Sequence, residues 1–153
     1  MNTTLITGAS SGIGAAFARK FAALGRNVFL VARSEDKLIT ICNELGRMSG
    51  SRAQHFALDL TEPDAAARLF EETQKRGLEI DMLINNAGFG SMGYFDKLDL
   101  ERELQMLDLN VRALVQESAA LRRPPPARST ESSRARVRDP VWQSRPSSRS
   151  RHC

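Results

Sequence analysis

Eight residues near the start of the chain, Thr7-Gly8-Ala9-Ser10-Ser11-Gly12-Ile13-Gly14, have the residue types of a phosphate-binding turn. Gly8 can adopt a positive φ without steric cost, and the bare backbone of the two later glycines permits close approach of a ligand and of the following helix. The start of that helix presents unpaired N–H groups, and Ser10 and Ser11 add hydroxyl donors. The pattern predicts a pyrophosphate site, with a tight strand-to-helix connection as the simpler alternative.

A second candidate contact, Arg33, follows the next apolar run in Ala32-Arg33-Ser34. Dinucleotide-binding folds that use NAD place an acidic residue here to hold the ribose 2′-hydroxyl, whereas a basic residue suits the additional phosphate of NADP. A guanidinium also matches the geometry of a phosphate. Arg33 therefore favours NADP over NAD. The alternative is that Arg33 is only a solvated residue ahead of the second helix.

Residues 1–120 alternate between strand and helix patterns, which predicts a fold that brings these candidates together. Short apolar runs typical of buried parallel strands occupy Thr3–Thr7, Asn27–Ala32, Gln54–Leu58 and Met82–Asn85. Two amphipathic helical patterns separate the first three runs. Their apolar faces are formed by Ile13, Phe17, Phe21 and Leu24, and by Leu38, Ile41, Cys42, Leu45 and Met48. This order predicts an α/β protein with a Rossmann-type doubly wound parallel sheet.

Two further helices are indicated by their start signals. Thr61-Glu62-Pro63-Asp64 predicts a helix capped by Thr61, with Pro63 in the first turn and Gly77 at the end. Its predicted buried stripe is Ala66, Leu69, Phe70 and Thr73. The fourth helix is predicted to begin near Asp99 and to carry apolar residues at spacings of four and three, namely Leu100, Leu104, Leu107, Val111 and Leu114.

These segments together resemble the short-chain dehydrogenase/reductase family. Thr7-Gly8-x-x-x-Gly12-x-Gly14 is similar to its phosphate motif, Asp59-Leu60 to its adenine-contacting Asp, Asn85-Asn86-Ala87-Gly88 to its NNAG segment, and Asn110 to its helical catalytic Asn. The four motifs follow one another in the family's order over residues 3–118. The resemblance implies sheet order 3-2-1-4-5-6-7, hydride transfer between NADP and a small-molecule carbonyl or alcohol, and a homo-oligomer.

Each residue carried over by the resemblance has an alternative interpretation. Asp59 can merely cap a turn, and the segment Asn86, Ala87 and Gly88 can be an ordinary loop. An amide inside a leucine-rich helix needs buried partners, so Asn110 is the more informative residue. The resemblance implies that Asn110 holds a water in a proton relay, and the alternative is a surface Asn.

The resemblance also implies a catalytic Ser and a Tyr-x-x-x-Lys pair, which this sequence lacks. The single tyrosine is Tyr94, Leu98 stands four residues on, and Lys97 misses the spacing by one. Both Tyr94 and Lys97 precede Asn110, and no lysine follows residue 97. A tyrosine with a pKa near 10 is a poor acid–base group at neutral pH without a neighbouring cation. We therefore expect the chain as it stands to be inactive, with Asn110 the one catalytic residue of the family that is present.

The composition changes abruptly after residue 120. Residues 1–120 contain 13 basic and 16 acidic residues, whereas residues 121–153 contain nine Arg, no Lys, two acids, seven Ser and five Pro. The net charge of +4 therefore comes from the second part. We predict an NADP-binding Rossmann portion at 1–120, truncated after the fourth strand and the Asn-bearing helix, and a disordered basic tail at 121–153.

Three interpretations of that tail remain open. We favour out-of-frame translation, which makes the chain a fragment of an oxidoreductase. A linker to a partner subunit is the second, and an RNA-binding segment is the third and least favoured, because charge alone is weak evidence for nucleic-acid binding. A non-catalytic NADP-binding or regulatory module is the alternative function from another class.

Other sequence features narrow the function. Cys42, Cys153, His55 and His152 have no spacing typical of a metal site, so no metal is expected. No secretory signal or long apolar span is present, which predicts a cytoplasmic protein without a membrane partner. The homo-oligomer of the family is doubtful here, because one of the helices that form its interface is missing.

Overall fold

The computed structural model describes residues 2–48 and 51–122. The predicted tail at 121–153 lies outside the described residues apart from Leu121 and Arg122. Its predicted disorder and the RNA-binding hypothesis therefore stay predictions, as does the domain boundary at residue 120.

The described residues form a four-stranded parallel sheet in the order β3-β2-β1-β4. The strands are β1 (Asn2–Thr7), β2 (Asn27–Ala32), β3 (Ala53–Ala57) and β4 (Glu79–Ile84). In the centre of the sheet Leu5 pairs with Phe29 on one side and with Leu83 on the other. The predicted α/β class and Rossmann-type parallel sheet are confirmed.

The helices connect the strands and cover both faces of the sheet. They are α1 (Gly12–Ala23), α2 (Glu35–Met48), α3 (Ala65–Lys75), α4 (Leu100–Leu107) and α5 (Leu114–Ala120). A 3-10 turn at Phe95–Lys97 precedes α4, and a π-helical segment at Asp108–Ala113 joins α4 to α5.

Strand β2 shows how the alternating side chains build two cores. Val28 and Leu30 pack in the core that contains α1 and α2, whereas Phe29 and Val31 pack in the core that contains residues of α3. All four side chains are almost completely buried. A strand buried on both faces reads as a continuous apolar run, which explains why the sequence identified β2 correctly.

Helix α1 packs on the sheet mainly through small residues, and of the predicted apolar face Phe21 is the residue that packs, partly buried, against the core. Its buried residues are the small ones, Gly14, Ala15, Ala18 and Ala22, whereas Ile13, Phe17 and Leu24 are exposed. Small residues let the helix axis approach the strands closely, and the large side chains are then left outside. The predicted α2 face is confirmed for Leu38, Ile41 and Leu45, which are buried.

The third and fourth helices differ from the predictions at their starts and on their faces. Helix α3 begins at Ala65 after Asp64, which makes no side-chain capping bond, so the predicted cap at Thr61 is wrong. Leu69 and Thr73 are buried as predicted, but Phe70 is exposed and Ala65 is buried in its place. Helix α4 begins after Asp99 as predicted, but it ends at Leu107, and the predicted apolar stripe continues through the π-helical segment to the start of α5. The whole stripe is exposed, namely Leu100, Leu104, Leu107, Val111 and Leu114.

Strand β4 begins three residues earlier than predicted. Glu79 and Asp81 interrupt the apolar run, and Asp81 forms an ion pair with Arg26, whose Nε also donates to the hydroxyl of Thr4 (2.8 Å). Because β4 lies at the edge of the described sheet, exposed charged residues fit within the strand. Arg26 thus ties β1 to β4 across the sheet.

Candidate functional site

A cleft of about 220 Å³ opens at the carboxyl ends of the strands. Strand β1 lies between β2 and β4, so successive crossovers run in opposite directions from it, and open α/β sheets bind ligands at this switch point. The cleft is lined by residues that follow β1, β2, β3 and β4 together with one residue of the π-helical segment. They are Gly8, Ser10, Ser11, Ala32, Arg33, Ser34, Leu58, Asp59, Leu60, Ala87, Gly88 and Leu109.

The glycine turn has the backbone geometry that its sequence predicts. Gly8 has φ +63° and Gly12 has φ +54°, a region that residues with a side chain rarely adopt. A Cβ on Gly14 would lie 2.4 Å from the carbonyl oxygen of Gly8, so the third glycine is needed for close packing of α1 against the turn. Ser11 precedes α1 in an extended conformation and makes no capping bond with its hydroxyl. Ile13 is 70% exposed and lies outside the residues that line the cleft.

Thr7 and Asn86 join the turn to the loop that follows β4. The buried Thr7 Oγ1 accepts hydrogen bonds from the N–H groups of Asn86 and Ala87, both at 3.1 Å. The Asn86 side-chain amide donates to the carbonyls of Thr7 (3.0 Å) and Gly8 (3.2 Å). These two predicted contact residues do not line the cleft, but their hydrogen bonds join two of the segments that do.

Arg33 and Asp59 face each other at the other end of the cleft. Arg33 Nη1 lies 3.8 Å from Asp59 Oδ2, and the Arg33 side chain is 71% exposed. Asp59 Oδ1 accepts hydrogen bonds from the Thr61 N–H (3.0 Å) and hydroxyl (2.7 Å). Burial opposes ionisation of Asp59, but the Thr61 hydrogen bonds and the Arg33 charge outweigh it and lower the pKa of the carboxyl. Asp59 is therefore an anion at neutral pH.

Asn110 lies in the π-helical segment and binds the main chain of the loop after β4. Its Oδ1 accepts from the Phe89 N–H (3.1 Å) and its Nδ2 donates to the Phe89 carbonyl (2.8 Å). A Cβ on Gly88 would lie 2.8 Å from Asn110 Oδ1, so the glycine makes room for the amide. Asn110 is exposed rather than buried, and its partners are backbone groups next to the cleft. The sequence does not identify Phe89 as the partner of Asn110, because a residue of any type can supply a backbone N–H and carbonyl.

Tyr94 and Lys97 do not form a catalytic pair. Tyr94 is 82% exposed, and Lys97 Nζ lies 3.4 Å from the carboxylate of Asp96. Neither residue lines the cleft. Within residues 2–48 and 51–122, no group of three His, Cys, Asp or Glu side chains has the arrangement of a metal site, and no helix is long and apolar enough to cross a membrane.

The parallel sheet, the glycine turn and the cleft at the switch point define a Rossmann-type α/β protein. The family model for short chain dehydrogenases matches residues 2–124. The chain belongs to this family.

Several of the relatives and solved structures to which the chain is similar are dehydrogenases. A short chain dehydrogenase of Pseudocercospora fijiensis is 34% identical over 113 residues, which cover 72% of this chain and 36% of that protein. A short-chain dehydrogenase from Sphingobium yanoikuyae in complex with NADPH has a TM-score of 0.73 and 37% identity, with 79% of this chain and 47% of the other covered. An alcohol dehydrogenase from Thermococcus sibiricus complexed with 5-hydroxy-NADP has a TM-score of 0.75 and 30% identity, with 79% and 52% covered. The chain thus spans about a third to a half of the length of these proteins.

Proposed function

We propose that this chain is the cofactor-binding portion of an NADP-dependent short-chain oxidoreductase whose substrates are carbonyl compounds or alcohols. The observation that carries the proposal is the exposed Arg33 guanidinium at the cleft, beside Asp59 and opposite the glycine turn. NADP, when bound, supplies or accepts the hydride.

Different residues of the cleft fit the successive chemical groups of NADP. The turn offers bare backbone at Gly8, the hydroxyls of Ser10 and Ser11, and the N-terminus of α1, which together suit a pyrophosphate. Asp59 lines the cleft and supplies the hydrogen-bond acceptor that the family resemblance implies for the adenine, and Arg33 suits the 2′-phosphate. Complexes of two similar proteins with NADPH and with 5-hydroxy-NADP support the same cofactor.

The volume of the cleft agrees with a partial site. Small-molecule sites commonly enclose about 300–1,000 Å³, and this cleft measures about 220 Å³. Its lining residues are those expected around the adenosine and phosphate groups. We infer that Asn110 and the loop at Gly88 border the nicotinamide end, where Asn110 would hold a water in a proton relay in the complete family site.

We further propose that residues 1–120 bind the cofactor and that residues 121–153 take no part in catalysis. The sequence contains no Tyr-x-x-x-Lys, and Tyr94 and Lys97 lie outside the cleft. The chain as it stands would then bind NADP without reducing a carbonyl. Carbonyl-dependent oxidation of NADPH by the purified chain, above that of Asn110→Ala, would refute this part of the proposal.

The cofactor is tested by titrating the purified chain with NADPH and NADH and following nucleotide fluorescence. We expect NADPH to bind at least about 10-fold more tightly than NADH, because a charge-assisted contact contributes about 1.5–3 kcal/mol. Arg33→Ala should weaken NADPH binding by about 10-fold and leave NADH within a factor of about two.

Arg19→Ala is the matched control, since Arg19 is an exposed arginine of α1 that pairs with Glu44 away from the cleft. It should bind both nucleotides as the unmodified chain does. Equal losses for NADPH and NADH on Arg33→Ala would contradict the 2′-phosphate contact. A folded chain that retains neither nucleotide would contradict the whole proposal.

A further inference from the structure

Thr61 makes two hydrogen bonds to a single oxygen of Asp59. The Thr61 N–H lies 3.0 Å and its hydroxyl 2.7 Å from Asp59 Oδ1. The turn between them is closed by the Glu62 N–H, which donates to the Asp59 carbonyl (3.3 Å). Because both Thr61 donors meet the same oxygen, they fix the rotation of the carboxyl group about its last bond.

The fixed orientation leaves the second oxygen of Asp59 for the cleft. Oδ2 is the atom that lies 3.8 Å from Arg33 Nη1. Asp59 and Leu60 line the cleft, whereas the half-buried Thr61 lies outside the lining. The observed side-chain contact that links Thr61 to the cleft is therefore the one to the Asp59 carboxylate.

We propose that Thr61 is a positioning residue of the cofactor site, which holds Asp59 in the orientation that receives the adenosine part of the nucleotide and keeps Arg33 at the edge of the cleft. This inference rests on the proposed NADP binding. It assigns to the loop after β3 a specific role in preorganising the site, since a carboxylate that is already held loses less freedom when the ligand arrives.

A purely structural role for Thr61 predicts different behaviour. If Thr61 only stabilised the turn, its removal would lower the stability of the fold and leave the affinity of the folded protein unchanged. A positioning role predicts weaker binding by a protein that remains folded, and a dependence of that loss on the Asp59 carboxyl.

The test compares Thr61→Val, which replaces the hydroxyl by a methyl group of similar size, with Thr61→Ser, which retains it. We expect Thr61→Val to weaken the binding of NADPH and of 2′,5′-ADP by about 3–10-fold, which is less than a direct charge-assisted contact would cost because the change reaches the nucleotide through Asp59. Thr61→Ser should restore the affinity to within a factor of about two. Thermal unfolding of each variant, with Thr61→Ala as a second variant, shows that the proteins compared are folded.

The link to Asp59 is tested by a double-mutant cycle. In an Asp59→Ala background, Thr61→Val should cause no further loss of affinity, because the group it positions is absent. A carbon-13 titration of the Asp59 carboxyl should show a higher pKa in Thr61→Val than in the unmodified chain, with the lower value recovered in Thr61→Ser.

The outcomes separate the two proposals. Unaltered NADPH binding by folded Thr61→Val overturns the positioning role and leaves the proposed function in place. A loss that persists in the Asp59→Ala background also overturns it. Failure of the unmodified chain to bind NADPH overturns the proposed function and this inference with it.

Discussion

Single residues in and near the cleft are constrained by contacts at atomic distances. The most demanding is Gly14, where a Cβ would lie 2.4 Å from the Gly8 carbonyl oxygen and 2.6 Å from Asn86 Nδ2. These two atoms are hydrogen-bonded to each other, and their bond joins the glycine turn to the loop after β4. The start of α1, the glycine turn and the loop after β4 can therefore pack this closely because residue 14 has no side chain.

Gly14→Ala is expected to destabilise the protein by about 1–3 kcal/mol, because overpacking forces backbone to move. The matched control is Gly46→Ala, since Gly46 is also helical and a Cβ there has no neighbour within 4 Å. That change should stabilise the chain by about 0.5–1 kcal/mol, because alanine is the better helix former. Urea unfolding of the two variants measures both values, and equal effects would show that the contact at Gly14 does not matter.

Glu117 is a carboxyl buried on α5, with a residue exposure of 2%. Burial raises its pKa from 4.5 to about 7. The folded state therefore binds a proton that the unfolded state has released between these values, and the free energy of unfolding should fall as pH rises from about 4.5 to 7. Over this pH range the free energy of unfolding should fall by about 3 kcal/mol.

Glu117→Gln should remove this pH dependence and make the protein more stable than the unmodified chain at pH 7. The measurement is the free energy of unfolding at pH 5, 6 and 7. Glu71→Gln, at an exposed position of α3, should keep the slope of the unmodified chain. A slope that persists in Glu117→Gln would assign the titration to another group.

At the scale of elements, the starts of two helices differ in how they are capped. The Asp99 carboxylate accepts a hydrogen bond from the Glu101 N–H (3.1 Å) at the start of α4. Asp64 occupies the same position before α3 but makes no side-chain capping bond, and its carboxylate lies 3.8 Å from Arg68. An aspartate side chain therefore caps α4, whereas the aspartate before α3 forms an ion pair instead.

Asp99→Ala should destabilise the protein by about 1 kcal/mol, the usual cost of losing a capping side chain. Asp64→Ala is the matched control and should cost no more than about 0.5 kcal/mol, because it loses only an exposed ion pair. Thermal unfolding of both variants checks the difference. A larger loss for Asp64→Ala would mean that its helix depends on that side chain in a way the capping geometry does not show.

The sequence predicted the elements that are buried on both faces and the turn whose glycines have to be glycine. β2 was predicted with its observed bounds because nothing polar interrupts it, and Asp99 was found because its capping signal is local. The face of α1 is predicted correctly only at Phe21, because large apolar residues dominate a periodicity pattern although alanines make the closer contact with the sheet. The hydrogen bonds from Thr61 to Asp59 could not be predicted, because a threonine that binds a nearby carboxylate has the same residue type as one that caps a helix.

At the scale of the whole molecule, the described residues leave a long apolar stripe exposed. The stripe of α4, the π-helical segment and α5 contains Leu100, Leu104, Leu107, Val111 and Leu114, all exposed. Strand β4 is an edge strand of the described sheet, and Oδ1 of Asn85, the residue after it, is buried without a partner among the described residues. Contiguous apolar surface of this kind promotes association.

Replacing Leu104 by Lys should reduce the self-association of the chain without weakening NADPH binding. Gln105→Lys, one residue further along the same helix, adds the same charge at an exposed polar position and should leave association unchanged. Sedimentation velocity at several protein concentrations measures the effect. A chain that remains monomeric at all concentrations before any substitution would contradict the prediction.

The central position of β1 has a consequence for the order in which the protein can be built. Ile6 pairs with Leu30 on one side and with Ile84 on the other. During synthesis β1 gains its neighbour β2 soon, but its other flank stays unpaired until β4, about 70 residues downstream, has emerged. Contacts between distant parts of a chain form slowly, so a nascent polypeptide of this sequence exposes one side of its central strand until β4 is available to pair with it.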